Sequence, residues 1–303
     1  MDINEIKKFQ AFIYEAAYIA LKSEYFEGHE RFESPSPIPV LTMIPDFAIV
    51  SAMERILWAA NISSREKCEA FLKEYDSAAN RQNAKYLCDK YLNPEKREFF
   101  SGLTPDELIL YHSANFDISR EYGNYLGESF HYLPNMSIAD IGGSSGGLLT
   151  GIADKCKNVR LTGFDTEIAC EVGRSINDNI DFIPCDFFKY DFNGKKFDII
   201  ILSNVLHDWS TENVILLLKN LKPLFENCKF LIIHEDILSN SWHYPRETLV
   251  YGLRLAINEP GGTQRTFLEL DTYVKELDCG LAPTQELHFP PLSARIYKQV
   301  GIR

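Results

Sequence analysis

Ala139-Asp140-Ile141-Gly142-Gly143-Ser144-Ser145-Gly146-Gly147 decides how this chain folds. The apolar run Met136–Ile141 enters the segment, and a helical pattern from Leu148 to about Cys156 leaves it. Glycines at such a turn allow positive φ and let a ligand lie against the backbone, where a side chain would block it. The helix that follows aims its unpaired first-turn N–H groups back at the turn. Strand, glycine turn and helix in that order read as a nucleotide-type pocket at the carboxyl edge of a parallel sheet.

The next strands strengthen that reading. Asn158–Phe164 ends in Asp165, placed to accept hydrogen bonds from both ribose hydroxyls of a nucleoside. Phe182–Cys185 ends in Asp186, suited to an exocyclic amine, with Phe187 beside it to cover a ring face. Phe197–Leu202 leads to Ser203-Asn204-Val205-Leu206-His207-Asp208-Trp209. Successive strands thus deliver polar groups to one sheet edge. Either aspartate alone reads equally well as a helix cap; the ordered set favours a nucleoside pocket formed by Gly142, Gly143, Ser144, Gly146, Asp165, Asp186, Phe187 and Ser203.

Strand and helix patterns alternate with short connections from residue 136 to 235. This predicts an α/β fold, a doubly wound, Rossmann-like, mostly parallel sheet. Apolar strands follow near Thr284–Phe289 and Ser293–Val300. Ahead of the sheet, residues 1–120 read as a mainly helical domain. Ile6, Phe9, Phe12, Ile13, Ala16, Ala17, Ile19 and Ala20 recur at helical spacing, and further patterns follow at Ala48–Ala60, Ser64–Glu74, Ala78–Tyr91 and Pro105–His112. Pro35, Pro37 and Pro39 mark a loop between the first two patterns.

A net charge of −12 argues against nucleic acid as substrate or partner, since phosphate neutralisation needs clustered Lys and Arg. No apolar run reaches membrane-spanning length, and the start lacks the basic-then-apolar layout of a secretion signal. The seven cysteines form no Cys-x-x-Cys pair and are odd in number, which suits reduced thiols in the cytoplasm. No metal is expected, because the histidines show no helical ligand spacing.

Asp140-Ile-Gly-Gly-Ser-Ser-Gly146, Phe164-Asp165, Cys185-Asp186-Phe187, Leu206-His207-Asp208-Trp209-Ser210, Ile233-His234-Glu235 and Pro260-Gly261-Gly262-Thr263-Gln264-Arg265-Thr266 resemble the S-adenosylmethionine-dependent O-methyltransferases. The similarity is greatest to the subgroup of caffeate, acetylserotonin and bacterial secondary-metabolite enzymes. The resemblance runs from about Asn135 to the C-terminus. It implies a terminal antiparallel hairpin on the parallel sheet, S-adenosylmethionine as cofactor, a small, aromatic acceptor, and a homodimer. It also implies a division into an N-terminal dimerisation and acceptor-lid domain, residues 1–120, and a cofactor-binding domain, residues 121–303.

A hydroxyl acceptor is a poor nucleophile while protonated, with a phenol pKa near ~10. A positioned base typically adds ~10²–10⁴-fold. His207, at the mouth of the fourth strand, is chemically and positionally suited, and the resemblance makes it the family's base. Glu235, at the end of the fifth strand, is similar to the family carboxylate that orients that histidine. Asp208, Asn258 and Gln264 are the acceptor-side candidates. Two departures stand out: Ser144 where most members have the loop's third glycine, and Gln264 where plant enzymes carry a second carboxylate. Methylation at nitrogen or carbon, or a non-methylating scaffold or partner subunit, remain the open alternatives.

Overall fold

The computed structural model describes residues 3–22, 25, 53, 56–58, 60–93, 100–130, 135–240, 246–259, 261–289 and 291–300. The proline loop around residues 35–39 and most of the Ala48–Ala60 pattern lie outside them; Met53 and Ile56–Trp58 are helical.

Two compact units emerge. The larger comprises Phe100–Leu206, Glu212–Asp236 and Phe267–Arg303. Its centre is a seven-stranded sheet built from β1 (Ser137–Ile141), β2 (Arg160–Asp165), β3 (Ile180–Pro184), β4 (Ile199–Ser203), β5 (Phe230–Glu235), β6 (Leu281–Phe289) and β7 (Leu292–Gln299), in the order β3-β2-β1-β4-β5-β7-β6. The first five strands are parallel; β7 pairs antiparallel with β5, and β6 with β7. This is the doubly wound sheet that the alternation predicts, with the terminal hairpin that the resemblance implies. Central strands buried on both faces read as apolar runs, and Ile199, Ile200, Ile201 and Leu202 are all fully buried.

Helices at Pro105–Ala114 (α4), Phe116–Ser129 (α5), Gly147–Lys155 (α6), Glu167–Ile176 (α7), Thr211–Phe225 (α8) and Phe267–Glu276 (α10) belong to this unit. Helix α4 starts where Thr104-Pro105-Asp106-Glu107 signals it: the Glu107 carboxylate accepts from Thr104 N–H at 2.8 Å, and Thr104 Oγ1 accepts from Glu107 N–H. Helices α5 and α6 meet backbone to backbone. A methyl added at Gly123 would lie 2.0 Å from the Leu148 carbonyl oxygen, and one at Gly151 would lie 2.1 Å from that of Arg120. The glycines are therefore a packing requirement of that crossing.

The smaller unit joins residues 1–99 to His207–Thr211 and Ile237–Thr266. Its helices are α1 (Ile3–Lys22), α2 (Arg65–Glu74), α3 (Ala78–Leu92) and α9 (Arg246–Asn258). Ile13, Ala16, Ala17 and Ala20 of α1 share one apolar cluster with Cys68 and Phe71, Ala84 and Leu87, and Leu249, Leu253, Ala256 and Ile257. The α9 residues recur at 4, 7 and 8, the spacing of one helical face. Buried Glu15 of α1 accepts from Arg254 of α9 at 2.8 Å, and the guanidinium also covers the Phe12 ring. This division differs from the split at residue 120 read from sequence. Helices α4 and α5 go with the sheet because of the α5–α6 crossing, and α9 goes with the N-terminal helices because its apolar face completes their core. All seven cysteines are free thiols, five of them buried.

Several polar side chains of the strands are buried, His234 most completely. His234 of β5 is fully buried between the rings of Tyr122 and Phe289, and its Nδ1 lies 2.7 Å from Ser203 Oγ. Burial pushes the imidazole down from 6.5 to about 4.

Two outcomes follow from this packing. Gly123→Ala and Gly151→Ala should each lower unfolding stability by about 3 kcal/mol in urea titrations, because the added methyl meets backbone that cannot yield. Gly102→Ala, with nothing within 4 Å of its new methyl, should change stability by less than ~0.5 kcal/mol. The downward shift of His234 means the folded state prefers the neutral ring. Its contribution is full above pH 6.5 and is lost as pH falls towards 4. Thermal melts should show wild type losing stability across that window more steeply than His234→Asn.

Candidate functional site

The chain reverses its winding between β1 and β4, so a crevice opens beyond the carboxyl ends of those strands. Gly142 (φ +75°) and Gly146 (φ +79°) make the left-handed turns of the loop between β1 and α6. Gly142 N–H donates to the Phe164 carbonyl at 2.8 Å, and Gly146 N–H to that of Gly143 at 2.9 Å. Gly146 is the N-cap of α6 and brings no side chain to the helix's first-turn N–H groups. Ser144 also has positive φ (+50°), and its N–H donates to Asp165 Oδ2 at 2.8 Å. The other carboxylate oxygen accepts from Thr166 N–H at 2.7 Å. Thr166, not Asp165, caps α7, which leaves the aspartate facing the loop.

Asp140 lies under the same loop: a methyl on Gly143 would fall 2.8 Å from its Oδ2. Burial, with the nearby Asp165 charge, pushes its carboxyl up to about 8. Its Oδ1 has no hydrogen-bond partner among the described residues. The next strand over delivers Asp186 to the surface, where Oδ1 accepts from Phe188 N–H at 3.0 Å and Oδ2 pairs with Lys189 at 2.6 Å. That lysine bond holds the carboxyl below its usual range. Phe187 is half-buried beside Phe188.

Across the switch point, Ser203 ends β4 against His234, and Asn204 N–H donates to the His234 carbonyl at 2.9 Å. Glu235 ends β5, 3% exposed, and its Oε1 accepts from Val205 N–H at 3.0 Å and Leu206 N–H at 2.8 Å. The carboxylate thus fixes the two peptides that lead into His207 in the chain.

In the helical unit, His207 is 8% exposed, with Nε2 3.4 Å from Asp208 Oδ1 and its ring edge-on to Tyr251, centroids 6.2 Å apart. The loop 261–265 is stitched to the same turn. Thr263 N–H donates to the His207 carbonyl at 2.8 Å, and Arg265 Nη2 to that of Trp209 at 2.6 Å. Gly261 (φ +82°) brings the loop against Ser210, as the Gly261–Gly262 turn requires. Gln264, between these two anchors, is 1% exposed, and neither of its amide atoms has a partner among the described residues. Asn258 stands apart from this cluster in its bonding: its Oδ1 accepts from Lys90 Nζ at 2.7 Å.

The structure therefore gathers Gly142, Gly143, Ser144, Gly146 and Asp165 around one loop, and ties His207, Asp208 and the Gln264 loop together in the other unit. Sequence reasoning gave no role to His112, whose Nδ1 lies 2.7 Å from Ser144 Oγ, nor to the carboxyl of Asp140. Helical spacing gave no hint of His112, because its partner is 32 residues away. The rings of Phe130, Tyr122 and Tyr125 pack on Phe230, His234 and Phe289 respectively, and that of Tyr251 lies beside His207. Among the described residues, no group of three His, Cys, Asp or Glu is arranged to hold a metal, and no helix is long and apolar enough to cross a membrane.

Comparison with known proteins bears on the fold and the family. Mitomycin biosynthesis 6-O-methyltransferase of Streptomyces lavendulae is 21% identical over 195 residues, 60% of this chain and 54% of that one. The chain spans about half or less of the length of the first curated relatives it matches. An O-methyltransferase family 2 protein from Planctomyces limnophilus, solved with apigenin, has the same fold at a TM-score of 0.70 and 14% identity, covering 99% of this chain and 97% of that one. Human N-acetylserotonin methyltransferase, solved with SAM, superposes at a TM-score of 0.60 and 16% identity, covering 99% of each chain. The model of the O-methyltransferase domain matches residues 104–277, more than half of the sequence, and the chain belongs to that family.

Proposed function

We propose that this protein transfers a methyl group from S-adenosylmethionine to a hydroxyl of a small, aromatic metabolite, with His207 as general base. The observation that carries the cofactor half is the clasp of Ser144 N–H on Asp165 above a buried Asp140 whose Oδ1 lacks a partner among the described residues. Leaving a buried carboxyl oxygen unpaired costs on the order of 1–3 kcal/mol or more. A cationic, nucleoside-bearing ligand on this loop answers both features. Its positive charge offsets the burial of Asp140, and its ribose hydroxyls use the remaining lone pairs of Asp165. Gly142, Gly143, Ser144 and Gly146 would form the cradle, with Asp186, Phe187 and Ser203 along the same sheet edge.

S-adenosylmethionine, when bound, supplies a methyl group made electrophilic by its sulfonium. The protein's own task is to hold the acceptor and remove its proton. His207 takes the hydroxyl proton onto its imidazole as the oxygen–methyl bond forms, and releases it to solvent afterwards. Glu235 sets the backbone that leads into His207, and Asp208 Oδ1 lies 3.4 Å from Nε2. Tyr251 offers an aromatic wall beside the base. Gln264 presents an NH₂ donor and a carbonyl acceptor in a neutral amide, reserved for a polar group on the acceptor. Asn258, held by Lys90, is the outlying member of the acceptor set. The proposal extends, on family resemblance alone, to a homodimer acting in the cytoplasm.

Calorimetric titration with S-adenosylmethionine and S-adenosylhomocysteine should show binding that Asp165→Ala abolishes; a wild-type chain that binds neither ligand refutes the cofactor assignment. Against a phenolic acceptor, His207→Ala should lower kcat by ~10²–10⁴-fold with cofactor affinity retained. A loss within about threefold would remove His207 from the role of base. Gln264→Leu separates stability from function. Replacing two unpaired polar atoms by an apolar side chain of similar size should raise the melting temperature, while kcat/KM for the acceptor falls roughly tenfold or more, the worth of a lost hydrogen bond.

A further inference from the structure

We infer that His112 is a positioning residue for the ribose-side carboxylate and acts on it through Ser144; this rests on the cofactor reading above. Ser144 is a non-glycine residue at φ +50°. A side chain in the left-handed region costs roughly 1–2 kcal/mol, a cost glycine does not bear. Something must hold the residue there. Two bonds do so: His112 Nδ1 lies 2.7 Å from Ser144 Oγ, and the Ser144 N–H reaches Asp165 Oδ2 at 2.8 Å.

These bonds form one relay. A short hydrogen bond to a buried imidazole, 6% exposed, leaves the serine hydroxyl one rotamer. Fixing that hydroxyl fixes the residue's backbone, and the backbone sets where its N–H points. That N–H orients one oxygen of Asp165, and Thr166 N–H orients the other at 2.7 Å. The carboxylate plane is thus set from two sides, and its remaining lone pairs have a defined direction. Without the imidazole, Ser144 is free to leave positive φ, and its N–H to swing off the carboxylate.

The relay is separable from the helix that carries it. Ser145 Oγ donates to the His112 backbone carbonyl at 2.7 Å, a bond that survives any side chain at 112. Helix α4 therefore stays tied to the loop when the ring is removed. A glycine at 144 would hold the same φ unaided, which makes His112 dispensable on that background alone.

The test is a double-mutant cycle read by calorimetry with S-adenosylhomocysteine and with 5′-methylthioadenosine, which keeps the ribose but lacks the amino-acid end. His112→Ala should raise Kd for both ligands roughly tenfold, the size of one hydrogen bond. Ser144→Ala should do the same, and His112→Asn should recover most of the loss. In Ser144→Gly, His112→Ala should cost less than about twofold, the limit of independent sites. Equal losses on both backgrounds would mean that the ring acts by packing, and would overturn the relay. A loss for S-adenosylhomocysteine alone would also overturn it, by placing the effect at the amino-acid end. If His112→Ala does not fold, Ser144→Ala and His112→Asn take its place: a loss with the first and near-wild-type binding with the second support the relay, and unchanged binding in Ser144→Ala overturns it. A wild-type protein that binds neither ligand fails at the cofactor reading, not at the relay.

Discussion

Five parallel strands in one sheet impose the constraint from which the rest of the larger unit follows. Each strand must return to the same edge before the next begins, so the crossovers spend helices on the sheet's faces, that from β3 to β4 excepted. All carboxyl ends then lie together, and β1 is flanked by β2 on one side and β4 on the other. Helices packed on the faces have little room. The glycines at 123 and 151 let α5 and α6 touch through their backbones, where even a methyl would overlap a carbonyl oxygen. The site is thus placed by pairing topology, and its outer helix is placed by the absence of side chains.

Buried polar groups in this chain fall into two kinds. Glu235 Oε1 takes two backbone N–H groups, and His234 Nδ1 takes Ser203, so each fixes a piece of backbone or side chain at the sheet edge. Asp140 Oδ1 and both amide atoms of Gln264 have no partner among the described residues. Satisfied groups specify geometry, and unsatisfied ones cost stability with nothing gained inside the fold. Marginal proteins keep such a cost where a ligand removes it. Asp140 lies under the loop taken for the cofactor and Gln264 follows the turn carrying the proposed base, where such a cost has a use; Asn124 Oδ1, His234 Nε2 and Gln299 Oε1 also lack partners among the described residues.

The sheet was legible because its signals are local. Apolar runs, a glycine turn and helix-start residues each act within a few positions, and the strands appear where those runs lie; the antiparallel pairing of the last two rested on the resemblance. The order of carboxylates after β2 and β3 was legible for the same reason. Helix α9 was misplaced by the split at 120 because membership of a core is not a local property. Its face at Leu249, Leu253, Ala256 and Ile257 is as apolar as any sheet-covering helix, and only the fold shows that α1 to α3 receive it. His112 was invisible for a similar reason: a histidine in the last turn of a helix carries no mark of a partner on a distant loop. Lys189 was equally unreadable as the ion-pair partner of Asp186.

Two departures from the family pattern, Ser144 and Gln264, have opposite fates in the fold. Ser144 occupies a conformation that suits glycine, and the chain supplies a compensating partner in His112. The function of the loop can then persist with a different residue in it, because the backbone keeps its course. Gln264 replaces a charge with a neutral amide, and the described residues offer that amide nothing. A compensated change conserves what the site already does. An uncompensated one leaves two buried hydrogen-bonding atoms in need of a group from outside the protein. Ser144 is therefore a departure that the fold compensates, and Gln264 one that it does not.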